Sequence, residues 1–354
     1  MNTTLLETTA RTLVAPGKGI LAADESTASA NKRFAAVGVA ETEENRRRYR
    51  ELLFSTETAP IALSGVIFYD ETFWQKNAAG AALSAYVAAL GILPGIKVDE
   101  GLIELPGFPG EKVTKGLDGL PERMVKYREA GAKFAKWRAV ITIAAPTVDG
   151  QAGTPTDEAI AANVFVLARY ARICQDADIV PIVEPEVLFD GTHTPEQCEA
   201  VTARVYDALI SALRAFRVHL PGTILKTGMI LPGKESGLPV DPKEVAERTV
   251  RVLHAHIPPE LGGVVFLSGG QTSDQAFQNL NAIAQKGPHP WGVTFSYSRA
   301  LQDPVLRLWA ANQDDIPGAQ KLFASQLAIA AAARSGVLET PSAGGNFVSQ
   351  SQDL

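Results

Sequence analysis

The run Thr223-Ile224-Leu225-Lys226-Thr227-Gly228-Met229-Ile230 places one lysine where an apolar β-strand is predicted to end and a loop to begin. It contains one of eight short β-rich runs that recur along the 354-residue chain, separated by a few tens of residues. Eight is the number of strands that closes into a (β/α)8 barrel. The runs are Gly19–Ala23, Gly65–Tyr69, Gly95–Val98, Phe134–Val140, Ile179–Val183, Thr223–Lys226, Gly263–Leu267 and Gly292–Ser296.

Amphipathic segments with helix-start signals lie between most of these runs. Several place a capping residue directly before a proline or an acidic residue, which is the pattern of a helix N-terminus. Alternating strands and helices are typical of a parallel sheet covered by helices. The predicted starts are Thr156-Asp157, Thr194-Pro195, Asp241-Pro242 and Asp303-Pro304.

An open, doubly wound sheet with a nucleotide site is the main alternative fold. That fold requires a glycine-rich turn after the first strand, and the corresponding turn here is Asp24-Glu25-Ser26-Thr27. We therefore predict an α/β fold, a (β/α)8 TIM barrel in a single domain over residues 1–337. Residues 338–354 are rich in Ser, Gly, Gln and Asn, which predicts a flexible C-terminal tail.

Composition excludes several classes of function. A net charge of −6 spread over mixed-sign segments gives no basic face for nucleic acid. No uninterrupted apolar span reaches membrane length, and the first residues do not resemble a secretory signal, so we expect a cytoplasmic protein without a membrane partner. Cys174 and Cys198 lie far apart and outside any CxxC pattern, which argues against a disulfide framework.

Polar residues close the predicted strands, and the carboxyl ends of barrel strands are where active sites form. Residues two apart on a strand point the same way, so neighbouring charges can enter one cavity in pairs. Together they predict a mixed ring of acids and bases, although each alone is also explained by a solvated charge, a salt bridge or a turn. The ring comprises Asp24, Lys97, Lys136, Arg138, Glu184, Glu186, Lys226, Ser268-Gly269-Gly270, Ser296 and Arg299.

Lys226 suggests nucleophilic chemistry. Burial and a nearby cation both disfavour an ammonium ion, so a lysine at this position can serve as a neutral amine and form a Schiff base. The alternative is a lysine that snorkels from a strand end to water. Barrels often bind phosphate after strands seven and eight, where this chain has Ser268-Gly269-Gly270 and Arg299.

A metal-dependent mechanism is the main chemical competitor, because a divalent cation can also stabilise an enolate. The histidines do not favour it, since none closes a predicted barrel strand. His254 and His256 are two apart on a helical segment and face different directions. We therefore predict no metal site and no cofactor. The other histidines are His193, His219 and His289.

Long motifs in a fixed order give the chain a resemblance to class I fructose-bisphosphate aldolases over nearly its whole length. The resemblance implies a TIM barrel, a homotetramer, and cleavage of fructose 1,6-bisphosphate to dihydroxyacetone phosphate and glyceraldehyde 3-phosphate. The matching segments are Ala15–Thr27, Thr42–Arg47, Lys97–Asp99, Phe134–Arg138, Val183–Glu186, Leu225-Lys226, Phe266–Gln271, Phe295–Tyr297 and Arg299–Leu301.

The resemblance also implies roles for individual residues. Lys226 would form the iminium, and Glu184 would be the acid and base of carbinolamine dehydration with Glu186 tuning its protonation. Asp24 would take the C4 hydroxyl proton, and Lys136 would keep Lys226 neutral. One phosphate would be held by Ser268, Gly269, Gly270, Ser296 and Arg299, and the other by Ser26, Ser29, Arg33, Arg46, Lys97 and Arg138.

The chain departs from the family pattern in four places. Thr227-Gly228 follows the nucleophile where Pro-Asn is usual, and Ala28 and Ser298 each stand in place of a glycine. The chain ends in Leu354, whereas many members end in a tyrosine that assists enamine protonation.

Two other functions compete with this assignment. One is a Schiff-base barrel such as a transaldolase, or an aldolase of a singly phosphorylated or keto-acid substrate. Two separate groups of cations favour a bisphosphate over these substrates. The other is a sugar-phosphate-binding protein that has lost catalysis, although binding alone requires neither a neutral amine nor a proton shuttle. Preference among bisphosphate and monophosphate sugars stays open.

Overall fold

A computed structural model describes residues 1–145 and 153–339 of the chain. Eight parallel strands close into a barrel in the order β1-β10-β9-β8-β7-β6-β3-β2, which confirms the predicted fold class. They are β1 (Gly19–Ala23), β2 (Leu63–Phe68), β3 (Leu93–Lys97), β6 (Phe134–Ile141), β7 (Val180–Val187), β8 (Ile224–Thr227), β9 (Gly263–Phe266) and β10 (Val293–Tyr297). A short antiparallel hairpin of β4 (Leu102–Glu104) and β5 (Lys112–Thr114) lies after β3.

Helices cover the outside of the barrel, and none of those described is long and apolar enough to cross a membrane. A 3₁₀ turn, Leu220–Gly222, precedes β8. The helices are α1 (Thr3–Leu13), α2 (Thr27–Ala35), α3 (Glu43–Phe54), α4 (Ala59–Ala62), α5 (Asp70–Trp74), α6 (Leu83–Ala89), α7 (Leu120–Glu129), α8 (Asp157–Asp176), α9 (Pro195–Ala215), α10 (Pro242–His256), α11 (Ser273–Gln285), α12 (Arg299–Ala311) and α13 (Ile316–Arg334).

Three predicted helix starts are confirmed by side-chain caps. Thr156 and Thr194 accept hydrogen bonds from the backbone amides of Ala159 and Gln197, and Asp241 caps α10 in the same way. The fourth prediction is wrong, because Asp303-Pro304 lies inside α12, which already begins at Arg299.

The early start of α12 has a tertiary cause. The Gln302 side chain donates to the carbonyl of Ala22 at 2.7 Å, which fixes the first turn of the helix to strand β1. Pro304 then costs the helix one backbone hydrogen bond, and packing overrides the local signal.

Two strand ends also differ from the prediction. Glu184 and Glu186 lie within β7, which continues to Val187, because Arg138 to Ile141 of β6 pair with this segment. Strand β8 extends one residue past Lys226 to Thr227. The acids and the lysine therefore stand on paired backbone rather than on loops.

Apolar side chains fill the barrel below its carboxyl ends. Helix α1 closes the amino-terminal end, where Leu6, Ala10 and Leu13 join the interior cluster. Above them a layer of aliphatic side chains surrounds the Phe134 ring, and a second, larger core lies between the barrel and its helices. The interior layer consists of Ile20, Ala22, Ile67, Val180, Ile182, Ile224 and Val265.

The predicted boundary at residue 337 falls close to where the description ends. Leu338 exchanges two backbone-to-side-chain hydrogen bonds with Asn281 of α11, at 3.0 and 3.2 Å. Packing against the barrel thus extends one residue past Val337. The rest of the predicted tail, apart from Glu339, lies outside the described residues.

Packing of the Phe134 ring requires a glycine on the neighbouring strand. A Cβ at Gly95 would lie 2.2 Å from Cε2 of Phe134, closer than carbon atoms can approach. We expect Gly95→Ala to lower the free energy of unfolding by about 1–3 kcal/mol in urea denaturation. The double variant Gly95→Ala/Phe134→Leu should cost less than the sum of the single changes, whereas additive costs would contradict this packing.

Candidate active site

A cavity of about 880 Å³ opens at the carboxyl ends of the barrel strands. Most of the sequence-predicted site residues line it, although they come from segments up to 275 positions apart in the chain, from Asp24 to Arg299. The lining includes Asp24, Ser26, Ser29, Lys97, Lys136, Arg138, Glu184, Glu186, Lys226, Ser268, Gly269, Ser296 and Arg299.

The Glu184 carboxylate lies at the centre of the cavity floor. Its Oε1 is 3.1 Å from Nζ of Lys226, and its Oε2 is 3.0 Å from Nζ of Lys136. All three side chains are at least 95 % buried. One carboxylate therefore bridges two amines, and all three groups are almost fully buried.

Lys136 has a second carboxylate partner, Asp24, whose Oδ2 lies 2.7 Å from its Nζ. Burial would raise the pKa of Asp24, but Lys136 and then Lys226 outweigh it and lower the pKa to about 2. Burial would likewise lower the pKa of Lys136, but Asp24 and Glu184 raise it. Asp24 is thus an anion and Lys136 a cation at neutral pH.

The same balance applies to Glu184. Burial would raise its pKa, yet Lys136, Lys226 and Arg138 together lower it. The floor of the cavity therefore holds two carboxylates in their ionised form, each stabilised by amines rather than by water.

Strand register brings these groups together. Arg138 of β6 pairs with Glu184 of β7, and β8 pairs with β7 so that Lys226 lies level with Glu184. Lys136 lies two residues before Arg138 on the same face of β6, so its long side chain reaches up to the carboxylate from the layer below.

Two further ion pairs stand higher on the wall. The Arg138 guanidinium contacts the Glu186 carboxylate through Nε. Lys97 approaches Oδ1 of Asp99 at 2.7 Å and donates to its carbonyl at 2.8 Å. These cations line the open part of the cavity, where an anionic ligand can compete for them.

A second polar region forms where α12 begins. Oγ of Ser268 accepts a hydrogen bond of 3.4 Å from the Ala300 amide in the first turn of the helix. Oγ of Ser296 is buried, with no hydrogen-bond partner among the described residues. With Arg299 on the cavity wall, this end combines a helix N-terminus, two hydroxyls and a guanidinium, which suits an anion.

Gly269 permits the backbone to approach this region closely. A Cβ there would lie 3.1 Å from Oε1 of Glu186 and 3.6 Å from Nη2 of Arg299. A larger residue would therefore press on the Glu186 carboxylate and on Cδ1 of Leu267, which would lie 3.0 Å away.

Three predicted phosphate ligands do not line the cavity. Gly270 turns away from it with φ of +75° and packs against Phe189. The guanidinium of Arg33 contacts Glu25 and Asp303, and that of Arg46 lies 2.6 Å from Glu71. Both guanidinium groups are therefore already paired with carboxylates.

Sequence reasoning did not single out several residues that line the cavity. Among these Glu25 has the most contacts, because its carboxylate contacts Ser298, Gln302 and Arg33. The sequence feature that could have identified Glu25 as a site residue is its position directly after Asp24. The others include Tyr69, Asp70, Asp99, Glu100, Arg123 and Tyr127.

No group of three or more His, Cys, Asp or Glu side chains in residues 1–145 and 153–339 is arranged to hold a metal ion. His254 contacts His289 across 3.2 Å on the outside of the barrel, and His193 lies in the loop after β7. The cavity itself is lined by amine, guanidinium, hydroxyl and carboxylate groups.

Comparisons with known proteins agree with this arrangement. The family model described as fructose-bisphosphate aldolase class-I matches residues 5–352. Cytosolic fructose-bisphosphate aldolase 4 of Arabidopsis thaliana is 50% identical over 87% of this chain and 77% of its own. A probable class 1 aldolase of Xanthomonas axonopodis pv. citri is 49% identical over 86% of this chain and 89% of its own.

A solved structure shows the same fold. Fructose-bisphosphate aldolase from Plasmodium falciparum, in a ternary co-crystal with TRAP and a small-molecule inhibitor, superimposes with a TM-score of 0.92 at 44% identity and covers 96% of both chains. The chain therefore belongs to the class I fructose-bisphosphate aldolase family, whose members cleave fructose 1,6-bisphosphate through a lysine Schiff base.

Proposed function

We propose that Lys226 is the Schiff-base lysine with which this aldolase reversibly cleaves fructose 1,6-bisphosphate. The observation that carries this assignment is the shared Glu184 carboxylate, which holds the Lys226 amine 3.1 Å away on the cavity floor. A nucleophilic amine needs an adjacent group that can accept and return its protons. Glu184 is that group, and Lys136 fixes its other oxygen.

Schiff-base formation then uses these two residues. Glu184 takes a proton from the Lys226 ammonium group and passes it to the C2 oxygen as the freed amine attacks the C2 ketone, which gives a carbinolamine. Glu184 then takes a second proton from the nitrogen and passes it to the C2 hydroxyl, water leaves, and the nitrogen lone pair forms the iminium. Glu186, held by Arg138, lies two residues along the same strand and tunes the protonation of Glu184.

Cleavage of the C3–C4 bond uses Asp24. Its carboxylate takes the proton from the C4 hydroxyl, the C4 oxygen forms the aldehyde, and the bonding electrons move from C3 into the iminium to give an enamine. Lys136 lies 2.7 Å from Asp24 and stays cationic, so it orients this base and stabilises charge that develops at the C4 oxygen. Protonation at C3 and hydrolysis return the free Lys226 amine.

Two groups of residues in the cavity lining suit the two phosphates. One is the α12 N-terminus with Ser268, Gly269, Ser296 and Arg299. The other is the wall formed by Ser26, Ser29, Lys97 and Arg138. Gly270 adjoins Gly269 and Arg33 contacts Glu25 next to Ser26, whereas Arg46 contacts Glu71, so none of the three is a direct phosphate ligand in the proposal.

The organisation of the protein follows from the same family. We propose one catalytic barrel domain over residues 1–337 with a C-terminal tail over 338–354, and a homotetramer as the assembly. The location is the cytoplasm, supported by Arabidopsis relatives whose names specify cytosolic enzymes. The ligands are small sugar phosphates rather than nucleic acid.

Reduction of the iminium tests the nucleophile. Incubation with dihydroxyacetone phosphate, a chelator and borohydride should leave one reduced adduct on Lys226, located by mass spectrometry of peptides. Lys226→Met should give no adduct, and Glu184→Gln should form it about 10²–10⁴-fold more slowly because proton transfer is lost. An adduct on Lys136 instead would overturn the assignment.

Asp24→Asn separates bond cleavage from Schiff-base formation. We expect kcat for fructose 1,6-bisphosphate to fall by about 10²–10⁴-fold, because no base takes the C4 proton. Trapping of dihydroxyacetone phosphate on Lys226 should persist, since that step needs no C4 proton transfer. Loss of both activities together would contradict a separate role for Asp24.

The low pKa of Asp24 also predicts how stability depends on pH. Its folded pKa of about 2 lies below the unfolded value of ~3.9, so its contribution of about 2 kcal/mol is fully present above that value. It is lost as the pH falls from about 4 to 2. The difference in unfolding free energy between wild type and Asp24→Asn should therefore shrink by about 2 kcal/mol between pH 5 and pH 2. A constant difference in denaturant titrations would contradict the ion pair.

A further inference from the structure

The Phe189 ring lies where three active-site loops meet. Phe189 follows β7 and is only 4% exposed. A Cβ at Gly228 would lie 2.9 Å from its Cζ, and a Cβ at Gly270 would lie 2.5 Å from its Cδ2. The ring therefore occupies space that any side chain at either glycine would need.

Each of these positions is two or three residues from a proposed functional group. Gly228 follows Lys226 by two residues, Gly270 follows Ser268 by two, and Phe189 follows Glu186 by three. One rigid ring thus contacts the segments that carry the nucleophile, the phosphate-binding backbone and the acid–base pair.

The backbone of Phe189 is fixed from outside the cavity. Its carbonyl accepts a hydrogen bond of 2.8 Å from the Lys234 amide in the loop after β8. Two residues after Phe189, the Gly191 carbonyl accepts a hydrogen bond of 3.0 Å from the Glu235 amide. These bonds join the loops after β7 and β8, so the Phe189 backbone cannot shift without moving both.

The absence of a side chain at Gly228 is explained by contact with the Phe189 ring rather than by backbone conformation. Gly270 has φ of +75°, a conformation that favours glycine by itself, but Gly228 has no such φ. Gly228 also stands where an asparagine is usual in the family. Contact with the Phe189 ring accounts for a residue without a side chain there.

We propose that Phe189 is a positioning residue that sets the distance between Lys226 and the phosphate-binding segment Ser268–Gly270. This inference rests on the proposed role of Lys226 as nucleophile. The ring acts as a spacer: a phosphate bound by Ser268 and Gly269 fixes the adjoining Gly270, the ring transmits that position to Gly228, and the C2 ketone meets the Lys226 amine at the correct place. Misplacement by about 1 Å is enough to slow a reaction between positioned groups by up to ~10²-fold.

A double-mutant cycle tests the spacer, with Phe189→Leu, Gly228→Ala and the two combined. Phe189→Leu and Gly228→Ala should each slow borohydride trapping of dihydroxyacetone phosphate by about tenfold. Phe189→Leu should also raise KM for fructose 1,6-bisphosphate severalfold, because phosphate binding and the nucleophile are no longer aligned. Leucine lacks the Cζ atom that the new Cβ would meet, so the double variant should react about as fast as Phe189→Leu alone.

Matched controls separate positioning from general loss of stability. Phe323→Leu removes part of a fully buried ring from α13, away from these loops, and should lower Tm without changing the trapping rate or KM. Additive effects in the cycle, or a loss of Tm alone in Phe189→Leu, would overturn the spacer role. Failure of the wild type to form an adduct on Lys226 would instead overturn the proposed nucleophile. If Phe189→Leu does not fold, a wild-type trapping rate in Gly228→Ala would still refute the spacer role of Phe189.

Discussion

Burial of several charges around one carboxylate is the constraint on which the cavity depends. Moving an isolated ion out of water costs several kcal/mol even after relaxation, so Glu184, Asp24 and Lys136 are tolerable only together. Each carboxylate has an amine within 3.1 Å, and Lys136 serves both. The effect is visible in Asp24, where the attraction of the lysines outweighs desolvation and keeps the acid ionised. Such a network is costly to dismantle one member at a time, because each deletion leaves a partner charge buried.

The barrel interior makes this arrangement possible because the inward-pointing side chains of β6 and β7 change from apolar to charged along the strand. Phe134 lies in the apolar layer, and Lys136 and Arg138 follow at two-residue intervals on the same face of β6. Ile182 and Glu184 repeat the change on β7. The apolar layer below excludes water from beneath the amines, which strengthens every charge interaction above it. A packed core and a reactive floor are therefore two levels of the same strands.

Much of this architecture could be predicted from the sequence, because it depends on local patterns. Short apolar runs locate the strands, and the polar residues at their carboxyl ends locate the floor. The sequence does not show which distant carboxylate reaches a given cation. Arg33 and Arg46 look like phosphate ligands in isolation, yet Glu25, Asp303 and Glu71 hold them. Asp303-Pro304 misleads for the same reason, since a tertiary hydrogen bond from Gln302 starts the helix earlier.

The segment after Lys226 shows how the chain accommodates departures from its family without moving the nucleophile. Oγ1 of Thr227 hydrogen-bonds to the hydroxyl of the buried Tyr206 at 2.8 Å, which fixes the strand end to α9. The neighbouring Gly228 packs against Phe189. Adjacent side chains on a strand point to opposite faces, so the outward contact of Thr227 keeps Lys226 directed into the cavity. The chemistry constrains where the amine lies, and different side chains after it can satisfy that constraint as long as both faces of the segment stay packed.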